Sequence, residues 1–311
     1  MAPYVVRRLL QGIPIVLGVT LITFFLLNMF GGDPVAHRLG KSATLEDIAA
    51  MQREFGLDQP LWRQYLDYLR QIITLDFGES FVTRERVNDL IRRGTGPSLS
   101  ITVPALVLTT LTSVTLSLIS AFNRGKALDR GIVVLAVLGM SISFLVYIVA
   151  GQYFLAYKAG LFQIYGYESS VIGRWQYLYL PILIQVIVGV GYDVRFYRSV
   201  MVEEISKQYI VTAHAKGLSP RVVMFRHLGK NALIPIITRV MIAVPFLVTG
   251  SLLIESFFGI PGLGSQILGA LDEQDYPVIK AMTFMISMLF VAGNVLTDVF
   301  YAWADPRVRL Q

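Results

Sequence analysis

The chain has no cysteine in 311 residues, which excludes disulfides, thiolate metal sites and cysteine nucleophiles. Histidine is scarce as well. His37, His214 and His227 lie far apart in sequence, so a histidine-built metal site has little to start from. Charge is thin: 15% of residues are charged and 54% are hydrophobic, a balance too apolar for an ordinary soluble domain. The glycine loop ending in Gly-Lys-Ser/Thr that cradles nucleotide phosphates is missing, because Gly125-Lys126 and Gly229-Lys230 lack both the spacing and the hydroxyl. The chain is therefore not expected to bind or hydrolyse ATP. H-E-x-x-H and G-x-S-x-G are absent too, leaving isolated serines at Gly139-x-Ser141 and Gly264-Ser265, and no two spans carry the paired acids of an intramembrane aspartyl protease. An enzymatic role is disfavoured. Internal repeats and low-complexity linkers are also missing, so residues 1–311 read as one membrane domain.

What the chain has is long apolar runs. Leu9 to Gly32 contains no charged residue and is long enough to cross a hydrocarbon core of ~30 Å as a helix. Arg7 and Arg8 precede it, yet the run exceeds a usual signal-peptide core and no small-x-small cleavage site follows, so an uncleaved first span is expected. Further spans are read at 94–123, 131–157, 175–192, 231–254 and 281–299. The expected fold is all-α, a polytopic membrane protein of six transmembrane helices. Pro181, Gly189 and Gly191 suggest a kink in the fourth span.

Charge chooses the side. The net charge of +6 sits mainly in alternate connections: Arg124, Lys126 and Arg130 in one, and Arg195, Arg198, Lys207, Lys216, Arg221, Arg226 and Lys230 in another. Such placement argues for membrane orientation rather than nucleic-acid binding, and puts both termini and the 193–230 loop in the cytoplasm. The outer 33–93 region holds nine Lys/Arg and ten Asp/Glu and weighs little in orientation. Within it, Thr44 is placed to cap a helix through Ile48, Met51 and Phe55 to Gly56. Asp58-Gln59-Pro60 opens another helix, with Leu61, Tyr65, Leu66, Leu69 and Ile72 on one side. That region is either a helical cap packed on the outer helix ends or a contact surface for a partner.

The stretch from Tyr209 to Pro235 is the longest polar-looking connection in the second half. Ile205, Tyr209, Thr212, Ala213 and Lys216 recur at helical steps, and Gly217 follows where a left-handed residue would end the helix. Ser219 offers an N-cap hydroxyl and Pro220 a first-turn residue, so a second short helix is expected to start there. The resulting basic knob is either a solvated cytoplasmic loop or a docking element.

Ion-coupled carriers keep Asp, Glu or His inside their spans. Here the one clearly intramembrane charge is Arg239, with Asp193 and Asp298 expected at hydrated helix ends, so a proton relay lacks its parts. Arg239 either snorkels to the cytoplasmic interface or serves as a gate or part of a path. The hydroxyls of the second span, such as Ser98, Thr109, Ser113, Ser117 and Ser120, suit close helix packing or a polar pathway. On the outer side, Gly259, Pro261, Gly262 and Gly264 form a turn cluster whose glycines can take φ values closed to other residues, with Asp275 and Tyr276 downstream. A plain turn between helices and a partner-facing loop are both open for this cluster.

TAHAKGLS (212–219), RHLGKNALIP (226–235), IESFFGIPGLG (254–264), DYPV (275–278), the terminal DPRVR and DFGESF (76–81) together resemble the B-type permease subunits of oligopeptide and dipeptide ABC importers. The resemblance runs along the whole chain and implies a type I importer permease. It implies that the 193–230 region is a coupling loop docking on a cytoplasmic ATPase, through Tyr209, Thr212, Ala213, Ala215, Lys216, Gly217, Ser219, Pro220, Arg226 and His227. Val211, Thr212 and Ala213 fall on the family's Glu-Ala-Ala, with Val in place of the acid, and Gly229-Lys230 replaces its Leu-Pro. Gly259, Pro261, Gly262, Gly264, Asp275 and Tyr276 would face a periplasmic or lipid-anchored solute-binding protein. Partners implied are a second permease in a heterodimer, two ABC ATPase subunits carrying ATP and Mg, and membrane lipid, in a bacterial inner membrane. The alternative function is an ATP-independent secondary carrier or channel.

Overall fold

The computed structural model describes residues 2–39, 44–170, 172–249 and 251–304; the side chains of 2–6, 9, 214, 221, 225–227, 230, 231, 248, 249 and 302–304 lie outside that description. The expected DPRVR terminus therefore lies outside the described residues. The chain is about 80% helical, and no strand occurs among the described residues. The helices are α1 Ala2–Phe30, α2 Pro34–Leu39, α3 Leu45–Glu54, α4 Leu61–Thr74, α5 Val87–Phe122, α6 Ala127–Ser141 and α7 Phe144–Ala150. They continue with α8 Trp175–Ile205, α9 Gln208–Ala215, α10 Pro220–Val222, α11 Gly229–Thr249, α12 Leu252–Phe258, α13 Leu263–Asp272 and α14 Tyr276–Ala304. Two π-helical segments, Gly151–Lys158 and Val223–Leu228, join onto α7 and α10.

Among the described residues four helices are long and apolar enough to cross a membrane, from α1, α5, α8 and α14. Two bent pairs, α6 with Phe144–Lys158 at 90° and α11 with α12 at 48°, bring the number to six if each pair is one span. The first bend is a departure from the straight 131–157 helix expected. Ile142 and Ser143 take extended backbone angles there, and the Tyr147 hydroxyl, donating to the Gly139 carbonyl at 2.9 Å, ties the two halves across the break. The fourth span also departs from expectation. It does not stop at Tyr192 but runs on to Ile205, because Asp193 and Arg198 are neutralised by ion pairs rather than by leaving the helix.

The described residues form two compact units. The first comprises residues 1–99 and 245–292. Its core gathers Phe77, Val87, Leu263, Tyr276, Met282 and Phe284. Only 11% of the apolar window of α1 is buried, against 33–44% for the other three long helices, so α1 has the most surface left for lipid. The small helices behave as their sequence dictates. Thr44 and Asp47 close a capping box on α3, and the Asp47 carboxyl, held by the Thr44 hydroxyl and N–H, is drawn below its ordinary range. α4 begins after Pro60 and ends on Leu75 in the left-handed conformation, with Asp76 N–H returning to the Gln71 carbonyl at 3.1 Å. Phe55 stacks on Phe81 at 3.9 Å, and Arg84 lies over the Phe55 ring while pairing with Glu54 at 2.6 Å.

The second unit comprises residues 100–244 and 293–311. Its core gathers Leu118, Tyr197, Met201, Ile210, Ala213 and Leu228. Backbones approach closely here: a Cβ at Gly189 would sit 2.8 Å from Thr109 Cγ2. One at Gly191 would sit 3.1 Å from both the Ala136 carbonyl oxygen and the Met140 nitrogen. Small residues permit this where lipid supplies no hydrophobic force between helices. The Ser117 hydroxyl uses the same proximity to donate to the Val194 carbonyl at 3.0 Å.

Candidate functional site

The hinge at Gly217 folds as its residues direct. α9 ends at Ala215, Gly217 takes φ +75°, and Leu218 N–H returns to the Ala213 carbonyl at 3.3 Å, which satisfies a helix-end carbonyl. Among the described residues, its chain neighbours apart, nothing lies within 4 Å of where a Gly217 Cβ would stand, so the constraint there is conformational. Ser219 occupies the N-cap position of α10 and Pro220 its first turn, but the Ser219 side chain makes no capping bond. The expected role of its hydroxyl is thus corrected: the preset φ of Pro220 and the Ser219 carbonyl, which accepts from Val223 N–H at 3.1 Å, start the helix without it. The second short helix is corrected too. Pro220–Val222, the π-helical turn and α11 follow without a break, so the basic segment is the first turns of a helix ending at Thr249.

This hairpin has a buried side and an open one. Ile210, Ala213, Val223 and Leu228 are buried, and the Tyr209 hydroxyl donates to Glu204 Oε2 at 2.6 Å. Val211, Thr212, Ala215, Lys216, Gly217, Ser219 and Pro220 are exposed. The side chains of Arg226 and His227 lie outside the described residues.

The 259–264 loop is built around a residue that sequence reasoning passed over. Glu255, on α12, is fully buried. Its Oε1 accepts from the Ser98 hydroxyl at 2.7 Å and from Ser251 N–H at 3.2 Å, and its Oε2 accepts from Ser265 N–H at 3.1 Å. Ser98 in turn accepts from Leu263 N–H at 2.8 Å. Of the three glycines only Gly259 has positive φ, +65°, where it ends α12. The expectation of three such glycines is corrected by this carboxylate. A Cβ at Gly262 would fall 2.3 Å from Glu255 Oε2 and 2.5 Å from Ser98 Oγ, and one at Gly264 would fall 2.9 Å from Oε2. Asp275, expected among surface charges that aid docking, is instead buried. It accepts from the Ser80 hydroxyl and from Phe81 N–H at 3.0 Å, which draws DFGESF and DYPV together. Tyr276 is buried and donates to the Gly32 carbonyl at 2.8 Å. Among the six loop residues singled out, only Pro261 is exposed.

Arg239 is not a lone intramembrane cation. Its Nε donates to Asp193 Oδ1 at 2.8 Å, and Asp193, expected to be hydrated at a helix end, is buried inside α8. A second ion pair was missed. Asp129 receives Arg198 Nε at 2.7 Å and Nη2 at 2.8 Å, the Ser120 hydroxyl at 2.5 Å and Gly125 N–H at 2.9 Å. Bidentate, charge-assisted pairing of this kind is the strong form of the interaction. A serine near the end of the 94–123 apolar run and an acid nine residues on were the available signals, but only the fold shows that they meet. Among the described residues no group of three or more His, Cys, Asp or Glu has metal-holding geometry.

Two family models match the chain along almost its whole length. The N-terminal model of binding-protein-dependent transport membrane components covers residues 1–102, and the model of the binding-protein-dependent transport system inner membrane component covers 113–310. The chain belongs to this family. Relatives agree with that membership over their full length. The permease is 31% identical over 312 residues to a probable peptide ABC transporter permease of Sinorhizobium fredii, covering 99% of this chain and 100% of that one. It is 31% identical over 315 residues to the oligopeptide transport system permease AppB of Bacillus subtilis, covering 99% and 100%. With the glutathione transport system permease GsiC of Salmonella choleraesuis it shares 34% identity over 316 residues, 99% of each. The permease is thus a multi-pass inner-membrane subunit of an ABC importer, a translocation component and not a catalytic enzyme. Its family works with ATPase and solute-binding-protein partners.

Proposed function

We propose that the permease forms half of a translocation path for peptides or similar small solutes, crossing the membrane six times with both termini in the cytoplasm. It pairs with a second, similar permease and with two ATPases, which hold the ATP and Mg that this chain does not bind. The relatives' names support peptide cargo, since those covering the full length are described as peptide, oligopeptide or glutathione permeases. The observation that carries the coupling role is the exposed set Val211, Thr212, Ala215, Lys216, Gly217, Ser219 and Pro220 on a hairpin that buries Ile210, Ala213, Val223 and Leu228. A surface of that form, rigid below and open above, suits insertion into a groove of another protein. Closure of the ATPases would press on α9 and on the helix that starts at Pro220. On the opposite membrane face, the 259–264 loop presents Pro261 to a binding protein while Gly262 and Gly264 let the loop close on Glu255, and Asp275 and Tyr276 brace the DFGESF segment and Gly32.

The absence of native cysteine makes the test direct. Lys216→Cys is expected to cross-link to an ATPase subunit in membranes and to resist a membrane-impermeant thiol reagent added outside intact cells. Labelling of that cysteine from outside would overturn both the sidedness and the coupling role. Gly217→Val is expected to leave ATP hydrolysis by the assembled importer but to abolish uptake driven by it, because valine at φ +75° is strained by roughly 1–3 kcal/mol and the hinge shifts.

A further inference from the structure

The first unit contains a cavity of about 740 Å³, within the range of small-ligand sites. Its walls come from α4, the DFGESF segment and the first turn of α14. Nothing in the coupling or loop roles above uses it.

One of its lining residues is Lys280. The ammonium lies 5.1 Å from the centroid of the Phe24 ring and 5.5 Å from that of Tyr68, and has no hydrogen bond or ion pair among the described residues. The backbone of the same residue is pinned, since the Tyr68 hydroxyl donates to the Lys280 carbonyl at 3.0 Å. Tyr68 itself is buried and Phe24 packs against Tyr65 with centroids 5.3 Å apart, so the two rings that face the ammonium are fixed. Aromatic faces attract a cation but neutralise none of its charge. A cation held in a cavity without an anion is an incomplete pair, and completing it with a charge-assisted hydrogen bond is favourable. The cavity also carries Arg70 and the acids Asp67, Asp76 and Glu79, none of which is in an ion pair among the described residues, whereas the Glu54–Arg84 pair beside them is closed. Charges of both signs therefore stand open around one volume.

We propose that this cavity binds a small zwitterion, with a carboxylate on Lys280 and an ammonium toward the acidic side chains. A short peptide has that chemistry, and its choice as probe is the one part that rests on the peptide-permease reading.

The test is isothermal titration of the full chain in lipid nanodiscs, without ATP or partners, with dialanine as the probe. Saturable binding is expected. Dialanine amide, which lacks the carboxylate, and N-acetyl-dialanine, which lacks the ammonium, should each bind about tenfold more weakly or worse, the loss of one charge-assisted contact. Lys280→Met should show a similar loss and Lys280→Arg should bind within about threefold of the parent. Failure of dialanine to saturate, parental binding by Lys280→Met, or acetate competing as well as dialanine would each overturn the proposal. Should Lys280→Met not fold, the amide and N-acetyl pair on the parent chain decides alone. Because the readout is binding to the isolated chain, loss of ATP-driven peptide uptake in the assembled importer would count against the proposed function and leave this site standing.

Discussion

Glu255 and Asp129 are both buried carboxylates in a chain made for lipid, and they are stabilised in opposite ways. Glu255 meets only neutral donors, one hydroxyl and backbone N–H groups, among the hydrogen bonds described. Asp129 meets a guanidinium in a two-point pair. The first solution requires the backbone to come within reach of the carboxylate, and glycine at 262 and 264 is what lets it. The second requires a long side chain from another helix, with the Ser120 hydroxyl and the Gly125 N–H completing the set of donors. One carboxylate thus shapes a loop, whereas the other joins helices. The comparison teaches that burial of charge in such a protein has two signatures in sequence. Closely spaced glycines beside an acid mark one, and an isolated acid and base far apart in the chain mark the other.

The largest expected effect comes from filling the glycine. Gly262→Val forces both Glu255 and Ser98 out of their mutual bond. It should destabilise the chain by about 3 kcal/mol or more, read as loss of the monodisperse peak after mild heating in detergent. A variant as heat-resistant as the parent would show that the Glu255 cradle is not needed. Next is Arg198→Ala, which strands Asp129 with a hydroxyl and one N–H as its remaining donors. A loss of about 3 kcal/mol is expected, less if water follows the vacated side chain, and Asp129→Asn on the same background should recover part of it. Asp193→Ala should cost less, about 1 kcal/mol, since the Arg239 side chain is 43% exposed and long enough to snorkel to the nearer interface. If uptake falls far more than stability in that variant, the pair acts in the transport cycle and not only in folding. Ser219→Ala is the smallest change and should stay within about 0.5 kcal/mol of the parent, because the hydroxyl makes no capping bond to α10. A loss of ATP-driven uptake at unchanged stability would instead place the Ser219 hydroxyl against a partner.

Much of the local architecture was legible. The helix opened at Thr44, the one opened at Pro60, and the left-handed stop at Gly217 all follow from neighbours within a turn, and the structure has each of them. What escaped depended on distance in sequence. α8 was cut short at Tyr192 because Asp193 and Arg198 look like residues entering water, and their partners Arg239 and Asp129 lie 46 and 69 residues away. The bend at Ile142 and Ser143 carries neither proline nor glycine, so no local signal announces it. Gly262 and Gly264 were noticed for the right residue type and the wrong reason. Their need is space, created by a glutamate that an apolar run had hidden.

Gly191 carries a consequence for the route of the cargo. A methyl group at this residue would press within 3.1 Å of the α6 backbone at Ala136 and Met140, so at that level α6 and α8 meet backbone to backbone with no gap between them. At that level α6 and α8 move as one packed pair, and a solute route beside them would run along their other faces.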